Sequence, residues 1–279
     1  VNPISSLYRK GYGLSIISVL LLVVFLFPIY WMVITSVRPA TEIFAYPPQF
    51  LPDQLDWSSF QRVLNDPKVP RYLLNSTIVG FGTTIVTLLL AAPAAYGLAH
   101  LPLRGKSVLL LISLATLMFP AIMIATPLFV IFSRLGLSDS YFGLIVANSA
   151  LALPFAVTVL RPFYLSIPRQ LTEAAKIDGC TTFGAFWRVM LPLSSPGLLT
   201  TAIFTFLFGW SDLLFAISLV NSDEVRPITA GLYAYSGANV TRWNNVMALS
   251  TVAMLPPLVL FLIAQRYVVR GLTAGSVKE

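Results

Sequence analysis

Residues 172–192 read TEAAKIDGCTTFGAFWRVMLP. The stretch is polar and helix-forming, is punctuated by Gly179 and Gly184, and lies between two long apolar runs. Around it the chain is 57% hydrophobic and only 10% charged over 279 residues, with a mean hydropathy of +0.81. Soluble domains carry about 25% charged residues, so this is the composition of a membrane protein. A soluble-looking helix–turn–helix inside such a chain marks a place where the polypeptide leaves the bilayer and returns.

Crossing the roughly 30 Å hydrocarbon core takes about 20 mostly apolar helical residues. Six segments meet that length, at about 13–35, 72–98, 107–132, 141–164, 196–220 and 246–268. Strands of a barrel would be about 10 residues long and alternating. These runs are more than twice that, so an all-α membrane protein with six transmembrane helices is expected, as one domain over 1–279. The first run follows Arg9 and Lys10, as in a signal peptide. It is too long for one and no A-x-A pattern follows it, so it reads as a retained span. The one cysteine, Cys180, forms no internal disulfide.

Charge sets the expected orientation. One set of connecting segments holds eleven basic residues against Glu173, Asp178 and Glu279; the other holds seven basic and seven acidic residues. Both termini and the 165–195 loop fall on the basic, cytoplasmic side. The loops at 37–71 and about 221–245 fall outside. This topology accounts for the net charge of +7, so no nucleic-acid partner is implied.

The residues that would carry chemistry are sparse. "RGKS" at 104–107 lacks the earlier glycine of a nucleotide-binding P-loop, the position being His100. His100 is the only histidine, so no histidine cluster for metal or proton relay exists. An intramembrane enzyme should show paired acids, bases or ligands, and none is visible; no metal site or cofactor is expected in this chain. An ion-coupled carrier should show intramembrane ionisable groups and repeated halves. Only Asp212 falls clearly inside a predicted span. With Trp210 beside it, Asp212 is a candidate for a solute path. The alternative is a structural hydrogen bond to a neighbouring helix. Pro28, Pro93, Pro120, Pro127, Pro154, Pro256 and Pro257 also fall in the spans, as in helices bent around a pathway and in inert bundles alike.

Within 172–192, Pro168 can start a helix, Gly179 suits a left-handed cap, and Thr181 or Thr182 can begin a second helix that ends at Leu191-Pro192. Ala174 and Ala175 permit close approach of another surface, and Phe183, Phe186 and Trp187 form an aromatic knob. Such a pair either docks into a partner or lies on lipid headgroups.

The spacing of Glu173, Ala174, Ala175, Gly179 and Leu191-Pro192 resembles the EAA loop of ABC-importer permeases, the coupling helix that sits in a groove of a cytoplasmic ATPase. By that resemblance Glu173 and Asp178 make polar contacts and Gly179 sets the turn. "AQRYVVRGLTAGSVKE" at 264–279 resembles the tail of maltose-type carbohydrate permeases, in particular the smaller six-span partner. There, Gly271, Leu272, Thr273, Ala274, Gly275 and Val277 would enter the ATPase interface; a frayed terminus is the other reading. "GWSDLLFAISL" at 209–219 resembles the fifth-span signature of sugar permeases, with Ser211 where asparagine is usual. The loop bearing Tyr233 and Tyr235 resembles the one that probes the binding protein. The resemblance implies a type I ABC-importer permease fold in a bacterial or archaeal cytoplasmic membrane. It also implies a sibling permease subunit, two copies of an ABC ATPase that bind ATP and Mg, and an extracytoplasmic sugar-binding protein or lipoprotein. The chain itself would be non-enzymatic. Glycerol phosphate, a glycerophosphodiester or a polyamine is the alternative solute; the lack of basic residues deep in the spans favours a neutral one.

Overall fold

The computed structural model describes the backbone of residues 3–236 and 242–274 and the side chains of 14–236 and 242–265. No strand occurs among them. Among the described residues four helices are long and apolar enough to cross a membrane, and two sharply bent pairs raise the number to as many as six.

In chain order, α1 is Pro3–Ser36, α2 Ser58–Asn65, α3 Lys68–His100, α4 Lys106–Leu117, α5 Ala121–Arg134 and α6 Tyr141–Ser166. Then come α7 (Arg169–Ile177), α8 (Thr182–Ala185), a π-helical turn (Phe186–Met190) and α9 (Leu191–Leu193). The chain continues with α10 (Ser195–Ser211), α11 (Leu214–Leu219), α12 (Ile228–Tyr235) and α13 (Trp243–Ala274). Two expected spans are not continuous. The 107–132 run breaks between α4 and α5, which meet at 94°. Pro120 has no amide hydrogen, disfavours helical backbone in the residue before it, and is itself extended, with ψ 121°. The 196–220 run breaks at Asp212–Leu213. The last helix runs on to Ala274, past the expected span end at 268.

The chain divides into two compact units: residues up to Pro67 with Leu232–Met254, and Lys68–Gly231 with the chain from Leu255 onward. In the second unit, α3 and α6 pack along small residues. Ala91, Ala92, Ala95 and Ala99 share one buried cluster with Ala156, Val157 and Leu160. Without a hydrophobic drive between helices in lipid, such residues allow the close backbone approach that dispersion requires. At the α3–α10 crossing a Cβ on Gly209 would lie 3.0 Å from Thr83 Oγ1 and 3.3 Å from the Cα of Gly80, so glycine there lets the two helices approach closely. Three buried hydroxyls are satisfied within their own helices: Thr84 donates to Gly80 O, Thr201 to Gly197 O and Thr205 to Thr201 O, each at 2.8–2.9 Å.

One end of this unit is latched by carboxylates. Asp139 takes a positive φ of 56°, and its amide donates to Leu219 O at 2.7 Å. Its Oδ1 accepts from the amides of Asn221 and Ser222 and from the Ser222 hydroxyl, all at 3.0 Å. Asp223 receives Lys68 Nζ at 2.6 Å, the Tyr72 hydroxyl at 2.8 Å and the Arg226 guanidinium. Asn75 Nδ2 donates to the carbonyls of Glu224 and Arg226, and the Tyr141 hydroxyl donates to Asn75 Oδ1 at 2.7 Å. The 220–228 loop is thereby stapled to the first turns of α3 and α6.

In the first unit the segment after α1 folds back on that helix. Arg38 is buried, donates through Nη2 to Gln49 O at 2.7 Å and stands 5.4 Å from the Trp31 ring centroid. Trp31 meets Phe50 edge-on, and the Tyr30 hydroxyl donates to Phe50 O. The Tyr235 hydroxyl donates to Asp66.

Two outcomes follow for stability. A Cβ on Gly143 would sit 2.1 Å from the Leu137 carbonyl oxygen, whereas one on Gly82 meets only the flexible end of Ile145 at 2.4 Å. Gly143→Ala should therefore destabilise by about 1–3 kcal/mol, and by more than Gly82→Ala, as read from melting in detergent. For Asp139, burial raises the pKa but the hydrogen bonds from Ser222 and Asn221 outweigh it and hold the carboxyl below its ordinary value. For Asp223 the bond from Lys68 does so, followed by that from Tyr72. Depressed carboxylates stabilise above the unfolded value, about 3.9 for Asp, and lose that contribution as pH falls through the folded value. Hydrogen-exchange protection of 219–228 should hold at neutral pH and fall below about pH 4. In Asp223→Asn the acid-dependent loss should shrink.

Candidate coupling elbow and the broken fifth span

The polar stretch forms a rigid elbow. Pro168 precedes α7, whose end closes as a paired cap: Gly179 N donates to Lys176 O at 3.1 Å and Cys180 N to Ala175 O at 2.9 Å. This Schellman arrangement needs a left-handed residue, and Gly179 has φ 90°. Thr181 then begins α8, its Oγ1 accepting from Gly184 N at 3.0 Å. The second helix does not end at Leu191-Pro192. It passes through the π turn, in which Leu191 N donates to Phe186 O, and bends by 78° at Ser194 into α10. A proline amide cannot pair with the carbonyl four residues back; the extra residue of the π turn re-phases the helix around it.

The candidate residues divide by direction. Phe186 is only 4% exposed: its ring lies 5.1 Å from Tyr96 and 6.5 Å from Tyr164, at the ends of α3 and α6. Met190 and Ala185 are fully buried and Ala175 nearly so. These residues root the elbow in the bundle, so Phe186 belongs to the core and not to an exposed knob. Glu173, Ala174, Asp178 and Gly179 are exposed. Ile177 is 86% exposed and Phe183 69%. Phe183 and Trp187 stack on each other, rings 6.3 Å apart, beside an apolar groove of about 480 Å³ that Ile85, Leu89 and Pro93 of α3 also line.

The break in the fifth span is built on Asp212. Its Oδ1 accepts from Phe215 N at 3.2 Å and its Oδ2 from Ala216 N at 3.1 Å. The carboxylate thus satisfies amides that a helix start leaves unpaired. The Thr229 hydroxyl donates to the Asp212 carbonyl at 2.5 Å. The fully buried Asn148 of α6 donates to Leu144 O at 3.0 Å and reaches Asp212 Oδ2 at 3.5 Å. Trp210 is buried and stacks on Phe206. Tyr233 is exposed, whereas Tyr235 is tied to Asp66. Of the tail candidates, Gly271, Leu272, Thr273 and Ala274 continue the backbone of α13; Gly275 and Val277 lie outside the described residues. Asn148 and the Asp139 latch were not singled out from sequence, and Ile177 was read only as one of the elbow's apolar residues. Asn148 had a signal, as an amide within an apolar run.

The described residues thus form bent, apolar helices around a polar elbow that is capped, rooted and exposed. The model of the binding-protein-dependent transport system inner membrane component matches residues 87–274, and the chain belongs to that family. It is 34% identical to the sulfoquinovosyl glycerol transport system permease protein SmoH of Agrobacterium fabrum, over 99% of this chain and 98% of that protein. It is 35% identical to the trehalose transport system permease protein SugB of Mycobacterium tuberculosis, over 91% of this chain and 92% of that one. A chain of a bacterial ABC transporter that imports the acidic polysaccharide alginate shares the fold, with TM-score 0.77, 23% identity, and 96% of this chain and 98% of that chain covered.

Removing the carboxylate in Asp212→Ala should cost about 1–2 kcal/mol and raise protease sensitivity near 213–219. Asp212→Asn, which keeps an acceptor, should cost less. In a reconstituted transporter, raised KM with unchanged stability in Asp212→Asn would instead assign the group to the solute.

Proposed function

We propose that this chain is one of two permease subunits of an ATP-driven importer for a di- or oligosaccharide delivered by an extracytoplasmic binding protein. The family and the sugar-transporting relatives support the solute class. The basic residues lie near the ends of the spanning helices and not at their middles, which favours a neutral sugar. The excess of Lys and Arg on one set of segments supports six spans with both termini and the elbow in the cytoplasm.

The observation that carries the mechanism is the elbow. Its outer surface presents Glu173, Ala174, Ile177 and Asp178, while Phe186 and Met190 anchor its root among Tyr96, Tyr164 and the ends of α3 and α6. A partner ATPase gripping the outer surface moves the ends of two spans through that root. ATP and Mg belong to the partner. ATP must bind the two transporter states with different affinity, and a swing from 1:99 to 99:1 takes about 5.5 kcal/mol of differential binding. A rigid connector delivers that difference to the spans; a floppy one dissipates it. The segment 271–279 is assigned to the ATPase interface and Tyr233 to the binding-protein side. Asp212 holds the broken span that borders the pathway.

Glu173→Lys combined with Gly179→Pro should abolish association with the ATPase and lower sugar uptake about tenfold or more, equivalent to ~1.4 kcal/mol or more, in vesicles holding the full transporter. Unchanged association and uptake would remove the docking role. Deleting 271–279 should lower ATPase activity stimulated by the binding protein while leaving membrane insertion intact.

A further inference from the structure

The first unit carries a cleft that no role above uses. It has a volume of about 440 Å³ and is lined by Phe44, Asp56, Arg62, Arg242, Trp243 and Asn244 among others. Two of its charged groups are already held. Asp56 accepts from the Ser58 amide at 2.8 Å, and that bond, followed by one from the Ser58 side chain, keeps its pKa below the ordinary value. Arg62 donates through Nε to Ser58 O at 3.0 Å and through Nη2 to Ser58 Oγ at 2.6 Å. Arg242 is exposed and makes no ion pair among the described residues. It stands immediately before α13, a long helix with no acidic residue in its first turn. The cleft thus combines two guanidinium groups against one carboxylate with the positive end of a helix, which favours an anion. Its walls are the exposed rings of Phe44 and Trp243. Arginine and large aromatics are the side chains that dominate protein–protein contacts.

Resting on the orientation and the importer reading above, we propose that this cleft receives an acidic side chain of the extracytoplasmic binding protein. Arg242 takes the carboxylate, Arg62 adds positive field, and Trp243 and Phe44 shield the contact from water. A side-chain carboxylate fits better than a free acidic sugar. A sugar acid captured here would next have to enter spans whose middles offer no basic partner in this chain, whereas a side chain need go no further. A planar guanidinium suits a carboxylate in two-point contact. A charge pair of this kind accelerates encounter and is weakened by salt.

The test uses the full transporter in zwitterionic nanodiscs, titrated with its own sugar-loaded binding protein at low and high salt. Arg242→Glu should weaken binding by about tenfold or more at low salt, flatten the salt dependence, and leave ATPase activity without binding protein unchanged. Arg242→Lys should retain most of the affinity. One acid-to-lysine substitution on the binding protein should restore binding to Arg242→Glu. If Arg242→Glu does not assemble, Arg242→Gln supplies the same comparison. Equal affinity and salt slope in the variants and the parent would overturn the proposal. So would galacturonate binding to the parent transporter, without binding protein, that is lost in Arg242→Glu. Failure of the parent transporter to respond to any sugar-loaded binding protein would instead overturn the importer reading and leave this cleft's assignment without its partner.

Discussion

Inside hydrocarbon an unpaired peptide group costs several kcal/mol, and the main departures from helix in this chain come with a replacement. Where the fifth span stops at Asp212, the carboxylate takes the amides of Phe215 and Ala216, and Thr229 takes the carbonyl. Beside Pro192, which offers no donor, the π turn keeps Leu191 N paired with Phe186 O. Where α7 ends, Gly179 and Cys180 close the last carbonyls. Only the Asp212 break lies within an expected span, where the membrane makes an unpaired peptide group expensive; the caps of the elbow serve a segment read as leaving the bilayer.

Packing then decides what moves together. The alanine seam between α3 and α6 brings two spans into close register, and Phe186 inserts between the tyrosines at their ends. The opposite end of the same helices is stapled to the 220–228 loop through Lys68, Tyr72, Asn75 and Tyr141. Close-packed interiors transmit displacement rather than absorb it. The elbow, the two helices and the far loop are thus joined by packing and hydrogen bonds along their length, and the backbone bends at Ser194 and breaks at Asp212.

Much of this was legible in the sequence. Apolar run length picked out the four long helices α1, α3, α6 and α13 as apolar segments, because thickness of the bilayer leaves little choice, but not the breaks in the 107–132 and 196–220 runs. Gly179 and Thr181 sit at the turn as their chemistry requires. The break after Asp212 was hidden because "LLFAISL" continues the apolar run without pause, although an aspartate ahead of such a run is itself a helix-start signal. The inward direction of Phe186 was not legible, since one residue of helix phase separates it from the exposed Trp187, and the π turn alters that phase. The carboxylate latches at Asp139 and Asp223 join residues 82 to 155 positions apart, a separation over which pattern carries no information.

The first helix stands apart from this economy. The stretch Leu14–Ser36 includes an apolar window of which none is buried against the rest of the chain. Its residence in the bilayer is therefore decided by solubility alone, before any tertiary contact exists. Such a segment can be committed to the membrane as soon as it leaves the ribosome, on its own apolarity. Tyr30 and Trp31, which hold the following segment through Phe50 and Arg38, are the exceptions; the exposed side chains before them answer to lipid or to another polypeptide.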